Sequence, residues 1–257
     1  MNLLAIETST DACSVALAVG DERLVDHRVA PRRHGELVLP MIDALLAEAA
    51  LPTSGLDGIA FGRGPGSFTG VRVAASVTQG IALGLDIGVV GVSTLRTIAQ
   101  GCLRELDDAR VGVALDARLD EIYWGAFRAS EAGVMTALVD ERVCLPRTLT
   151  LGERGDGDRE SEGSAEAEGG RDEGRWRLAG AGAERYAATL LATLGLDDEE
   201  SVRASRLPNA LDTLALAVPL VAENGLGPPE SAVPVYLRER VALTERERGT
   251  ARGSFGG

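Results

Sequence analysis

A chain of 257 residues, 45% of them hydrophobic, is long enough to bury one large core or two smaller ones. Its net charge of -13 argues against a surface that holds nucleic acid or anionic membrane by positive charge. The three cysteines, Cys13, Cys102 and Cys144, show neither a disulfide framework nor the C-x-x-C spacing of a zinc site, and no apolar run has the length of a bilayer span, so a cytoplasmic protein with free thiols is expected.

Residues 3–7 and 13–19 have strand-forming composition on either side of a polar turn, and 23–29 follows Gly20-Asp21 as a third strand. Residues 34–50 read as a helix in which Pro40 marks a kink or a late start, with apolar residues on more than one face. A strand over 57–61 leads into a glycine-rich turn, and a helix runs from Phe68 or Thr69 to Leu83. A strand over 87–92 follows, then a helix capped by Ser93 that reaches about Leu106. The second half predicts strands over 111–115 and 121–127 around a turn at 116–120, a third strand over 134–144 and a short strand over 176–179. Helices over 182–194 and 209–223 close it, the latter led by Pro208. Three strands and then helices occur twice, which predicts two related α/β lobes across a cleft, residues 1–106 and 107–240. Residues 152–175 hold nine acidic residues, four arginines and seven glycines, the composition of a disordered insertion, and 241–257 reads as a flexible tail.

The stretch 62–85, GRGPGSFTGVRVAASVTQGIALGL, carries the most information. A glycine turn feeding a helix presents unpaired backbone N–H groups and the positive end of the helix dipole, the layout of a phosphate cradle. The chain contains no lysine, so the P-loop pattern cannot be completed. Around Ser67 the nucleophile-elbow glycines are absent, and only His27 and His34 could act as a triad base, so Ser67 and Thr69 read better as helix caps. Glu7, Asp116 and Glu121 stand at strand tips, where carboxylates either bind a cation or simply form turns. Gly180 and Gly182 open a helix as a second, weaker glycine signal. In 71–83 small residues alternate with Val73, Val77 and Ile81, and together with 34–50 this exceeds what one sheet covers, pointing to a protein interface.

LLAIETSTDACSVAL, the glycine stretch, GVSTL, ALDARLDEIYWGAF and PVYLR together resemble the bacterial TsaB (YeaZ) family. The resemblance implies the two-lobed actin-like and Hsp70-like ATPase fold (the ribonuclease H-like ASKHA fold), with mixed sheets flanked by helices. It implies a noncatalytic paralogue of TsaD, the enzyme that transfers a threonylcarbamoyl group to the adenosine 3′ of the anticodon in tRNAs reading ANN codons. TsaD-like enzymes hold a metal through a His-x-x-x-His pair after a Gly-Val-Asn; here Thr94 and Ile98 stand at those places, so no metal is expected. Their Ser-Gly-Gly-His segment is replaced by Leu115, Asp116, Ala117 and Arg118. The resemblance thus implies TsaD and TsaE as partners, tRNA reached only through the complex, and no membrane. Leu39, Ile42, Leu46, Val73, Val77 and Ile81 are expected at the TsaD contact, with Arg72 on its rim. Glu7, Thr8, Ser9, Gly64, Gly66, Asp116, Gly180 and Gly182 are expected to form a vestigial phosphate or nucleotide site, no cofactor being assigned and ATP or ADP at the complex interface staying open. The rivals are a stand-alone ATP-binding phosphotransferase or metallopeptidase-like enzyme of the same superfamily, and a homodimer formed through the same helices.

Overall fold

The computed structural model describes residues 1–107, 109–149, 175–196, 201–203 and 206–238. The acidic insertion up to residue 174 and the tail 241–257 lie outside the described residues. The opening strands β1 (Leu3–Glu7), β2 (Ala12–Val19) and β3 (Glu22–Val29) form an antiparallel meander, with Glu7 opposite Ser14. Helix α1 (His34–Glu48) leads to β4 (Gly58–Gly64), α2 (Phe68–Leu85) to β5 (Gly88–Ser93), and α3 (Thr94–Leu106) ends the first half. The first sheet runs β3-β2-β1-β4-β5, with β4 and β5 parallel to β1. A helix between successive parallel strands is what such crossovers require.

The second sheet gathers β6 (Arg110–Arg118), β7 (Glu121–Ala129), β8 (Met135–Ala137), β10 (Trp176–Ala179) and β11 (Val202–Arg203) in the order β11-β10-β6-β7-β8, and β9 (Arg142–Cys144) also pairs with β7. This is the two-sheet, helix-flanked arrangement of the actin-like ATPase fold. The expected strand over 134–144 is therefore two short ones, and the expected helix over 182–194 is two, α4 (Ala181–Arg185) and α5 (Ala187–Leu194), broken at Tyr186 with φ -113°. The last helix, α6 (Ala210–Asn224), is capped by Asn209, whose side-chain oxygen accepts from Leu211 N at 2.9 Å; Pro208 lies outside it. Pro40 and Pro219 are both inside helices.

Alternation along the strands decides which helix covers which face. Leu4, Ile6, Val15 and Leu17 point to one face of the first sheet and pack with Val38, Met41, Ile42 and Leu45 of α1 and Ala74 and Ala82 of α2. The other face offers Leu3, Ala5, Ala16, Ala18 and Ala60, and these small residues admit α6, with Ala210, Leu214 and Ala217 closing the contact. Likewise Val111, Val113 and Phe127 of the second sheet pack with Leu95, Ile98 and Cys102 of α3, while Trp124, Leu178 and Ala126 face Ala183 and Leu190 of α4 and α5. The expected division by chain order is thus crossed twice: the last helix of the first half serves the second sheet, and the last helix of the second half serves the first. The alanine face of the first sheet is shallow and takes a close-packed helix, α6, while the second sheet presents larger residues to α3.

α3 and α6 meet between the sheets. Arg104 donates from Nε and Nη2 to the two carboxylate oxygens of Asp212, at 2.7 and 3.0 Å. The Asp212 side chain is 2% exposed and Arg104 is 35% exposed, so the two ends of the pair are not equivalent. Arg104→Met strands a buried carboxylate and is expected to cost about 3 kcal/mol. Asp212→Asn leaves a partly hydrated guanidinium and is expected to cost less. Urea unfolding of the two variants checks the order, and equal losses would contradict it.

Candidate functional site

The glycine turn is shorter than its sequence suggests, because Gly62, Arg63 and Gly64 are the end of β4. A register shift between Gly62 and Gly64, with Gly64 at φ +97°, bends the strand into the turn that Ser67 ends as N-cap of α2. Against this turn lies the hairpin turn after β1. Ser67 N donates to Ser9 O at 2.7 Å, and Thr8 Oγ1 donates to Gly70 O at 2.7 Å. A Cβ built on Gly66 would stand 2.3 Å from Ser9 O, and one on Gly70 would stand 2.0 Å from Thr8 O. The glycines are therefore explained by two backbones pressed together.

That contact takes up part of what a phosphate would need. Ser67 N is bound to Ser9, Gly70 N lies 3.4 Å from Ser67 Oγ, and Val71 N donates to Ser67 O at 2.9 Å. The carbonyl of Ser9 occupies the mouth of the turn, an acceptor where a phosphate oxygen would also be an acceptor. Glu7, Thr8, Ser9, Gly64 and Gly66 do come together as the sequence suggests, but as a closed contact.

Glu7 is buried at the end of β1. One carboxylate oxygen accepts from Ser9 N at 2.7 Å, and the other lies 3.1 Å from Thr94 Oγ1, itself 2.8 Å from Ser9 Oγ. A Cβ on Gly62 would stand 2.0 Å from this carboxylate, so Gly62 makes its room. Burial pushes the Glu7 carboxyl above the usual glutamate range, and the hydrogen bonds from Ser9 and Thr94 only partly oppose it. A carboxyl raised in the folded state contributes stability that is complete below the ordinary glutamate pKa and is lost as pH rises through the folded value. Glu7→Gln is thus expected to gain stability over the parent progressively as pH rises above the ordinary glutamate range. Chemical unfolding at pH 4, 6 and 8 checks this; a constant difference would remove Glu7 as the titrating group.

The second-sheet residues form their own cluster. Asp116 accepts from Arg118 N and from Arg185 Nη1, each at 2.8 Å. Cβ atoms on Gly180 and Gly182 would approach Ala114 O to 2.5 and 2.9 Å, so these glycines too serve close packing, of α4 on β6. The segment 235–238 spans both clusters: Val235 N donates to Arg63 O at 2.8 Å, and Arg238 donates to Ala117 O at 2.9 Å and to the Glu121 carboxylate. Thr94 and Ile98 are both buried, and among the described residues no group of three His, Cys, Asp or Glu is placed to hold a metal ion. No helix among the described residues is long and apolar enough to cross a membrane.

The expected interface residues separate by helix face. Val38, Met41, Ile42, Leu45 and Leu46 make the inward stripe of α1, and Ile42 and Leu46 are 3% and 5% exposed, so they belong to the chain's own core. This corrects their assignment to a contact surface: apolar residues one position off a stripe look alike in sequence, and only Leu39, 49% exposed, faces outward. On α2, Val73, Val77 and Ile81 are half-buried against the same core. Beside them Ser76, Gly80, Leu83 and Gly84 are exposed, and a Cβ on Gly80 or Gly84 would meet nothing within 4 Å. Arg72 lies 3.2 Å over the Phe68 ring and 5.0 Å from that of Tyr236. Sequence reading missed this cluster because Tyr236 arrives from the far end of the chain; PVYLR was its only signal.

The pattern of the family described as "TsaD: tRNA N6-adenosine threonylcarbamoyltransferase" matches residues 25–176. The tRNA threonylcarbamoyladenosine biosynthesis protein TsaB of Escherichia coli (strain K12) is 35% identical over 244 residues, 94% of this chain and 96% of that protein. The protein of the same name from Haemophilus influenzae is 46% identical over 153 residues, 57% of this chain and 65% of its own length. A solved Pseudomonas aeruginosa structure, described as having similarity to peptidase YEAZ, superposes with a TM-score of 0.78 at 39% identity, covering 92% of this chain and 99% of the other.

Proposed function

The chain belongs to the TsaB (YeaZ) family, and from that membership we propose that it works in tRNA threonylcarbamoyladenosine biosynthesis as a noncatalytic subunit that binds TsaD, with TsaE joining the pair. The observation that carries the noncatalytic reading is the Ser9 carbonyl seated in the glycine turn, hydrogen-bonded to Ser67 N at 2.7 Å. A turn filled by a carbonyl is a poor phosphate cradle, and Thr94 and Ile98 offer no imidazole where the resemblance to TsaD implies metal ligands. The match to the TsaD pattern supports a partner related to this chain, expected to present helices equivalent to α1 and α2. The surface that fits such a partner is the outer side of α2, where glycine and serine allow close helix approach, with Leu39, Val73, Val77 and Ile81 beside it and Arg72 at its rim.

Reconstitution tests the reading. TsaD, TsaE, tRNA and threonylcarbamoyl-adenylate are combined with and without this chain; modified tRNA is expected to form efficiently only with it. Equal yields in its absence would refute the assignment. Turnover of ATP or of a peptide by the isolated chain would favour the enzyme rivals instead.

A further inference from the structure

A cavity of about 410 Å³ lies beside the glycine turn, between the ends of β4 and β5 and the segment joining β8 to β9. One part of its wall is apolar, with Phe127, Val139 and Leu220. Another carries both signs of charge: Arg63 from β4, Arg96 from the first turn of α3, and the carboxylates of Asp140 and Glu141. Glu141 accepts a hydrogen bond from Ser93 Oγ, and Arg96 is fixed by its Nε to Met135 O at 2.5 Å. Arg63 Nε is buried with no hydrogen-bond partner among the described residues.

We propose that this cavity binds a small zwitterion of the α-amino acid class, its carboxylate on Arg63 and Arg96, its ammonium facing Glu141, and an apolar side chain against Val139 and Leu220. The mixed charge decides the class. A simple anion would meet the Glu141 carboxylate as well as the guanidiniums, and a simple cation would meet two guanidiniums; a zwitterion matches both. The volume is that of a small-molecule site, and the apolar wall with a few convergent polar groups is the usual make-up of one. The site is independent of TsaD binding and is tested on the full chain alone, so either idea can fail without the other.

Ligand-observed NMR and calorimetry would compare L-valine with isovalerate, which lacks the ammonium group, and isobutylamine, which lacks the carboxylate. Valine is expected to bind and each analogue to bind about tenfold more weakly, the worth of one charge-assisted hydrogen bond. Arg63→Gln is expected to weaken valine and isovalerate alike, while Glu141→Gln, which keeps an acceptor for Ser93, weakens valine and isobutylamine and spares isovalerate. Isovalerate binding as tightly as valine, or no saturable valine binding by the parent chain, overturns the proposal; the analogue series needs no variant to fold. Unchanged valine affinity in an Arg63→Gln protein with the parent's unfolding midpoint would also overturn it.

Discussion

Gly80→Glu is expected to leave the free chain folded and to abolish its complex with TsaD. Gly80 is exposed in the middle of α2, and an added Cβ meets nothing within 4 Å. In the free chain the change replaces a poor helix former by a good one, a gain of up to about 1 kcal/mol. At a close helix contact the same carboxylate would be buried without a partner, a loss of about 3 kcal/mol or more and hence over a hundredfold in Kd. Thermal unfolding of the free chain and size-exclusion chromatography with TsaD read the two effects separately. A variant that still co-elutes with TsaD moves the contact off α2. Leu46→Glu would not serve, because Leu46 is 5% exposed in the core and the variant would fail to bind by failing to fold.

Gly70→Ala is expected to cost the free chain about 3 kcal/mol, at the upper end of overpacking effects. The new Cβ would lie 2.0 Å from Thr8 O, 3.0 Å from Thr8 C and 3.3 Å from Ser9 Cα. All three are backbone atoms, so no side-chain tip can swing away. The two turns would have to part, stretching the Thr8 Oγ1–Gly70 O and Ser67 N–Ser9 O hydrogen bonds together. Urea unfolding gives the loss directly. A cost under about 1 kcal/mol would mean that the turns separate easily, and the closed state of the glycine turn would lose its support.

How much of this was legible depends on whether the signal is local. β1 and β10 stand at the expected bounds, Leu3–Glu7 and Trp176–Ala179, because polar or turn residues flank short apolar runs. α3 begins where Ser93 can cap it, its hydroxyl accepting from Arg96 N at 3.2 Å. The break at Tyr186 had no glycine or proline to announce it. Ile42 and Leu46 were misread because a hydrophobic position does not say whether the apolar surface it meets is its own chain's or another's. The glycine turn was legible as a place of close approach, but not what approaches: phosphate and peptide carbonyl demand the same small residue. The charged cavity escaped notice because Arg63, Arg96 and Glu141 share no motif and converge only through the packing of the second sheet beside β5.

The helix exchange bears on how the protein is made. During synthesis from the N-terminus, β1 to β5 emerge with α1 and α2 and can cover one side of their sheet at once. Its other side, with Leu3, Ala5, Ala16 and Ala18, stays wet until residues 210–217 leave the ribosome. The nascent first half therefore waits, with an apolar surface bare, for nearly the whole remainder of the chain. A fragment ending at residue 107 is accordingly expected to expose that face and to be cleaved faster by protease than the whole chain.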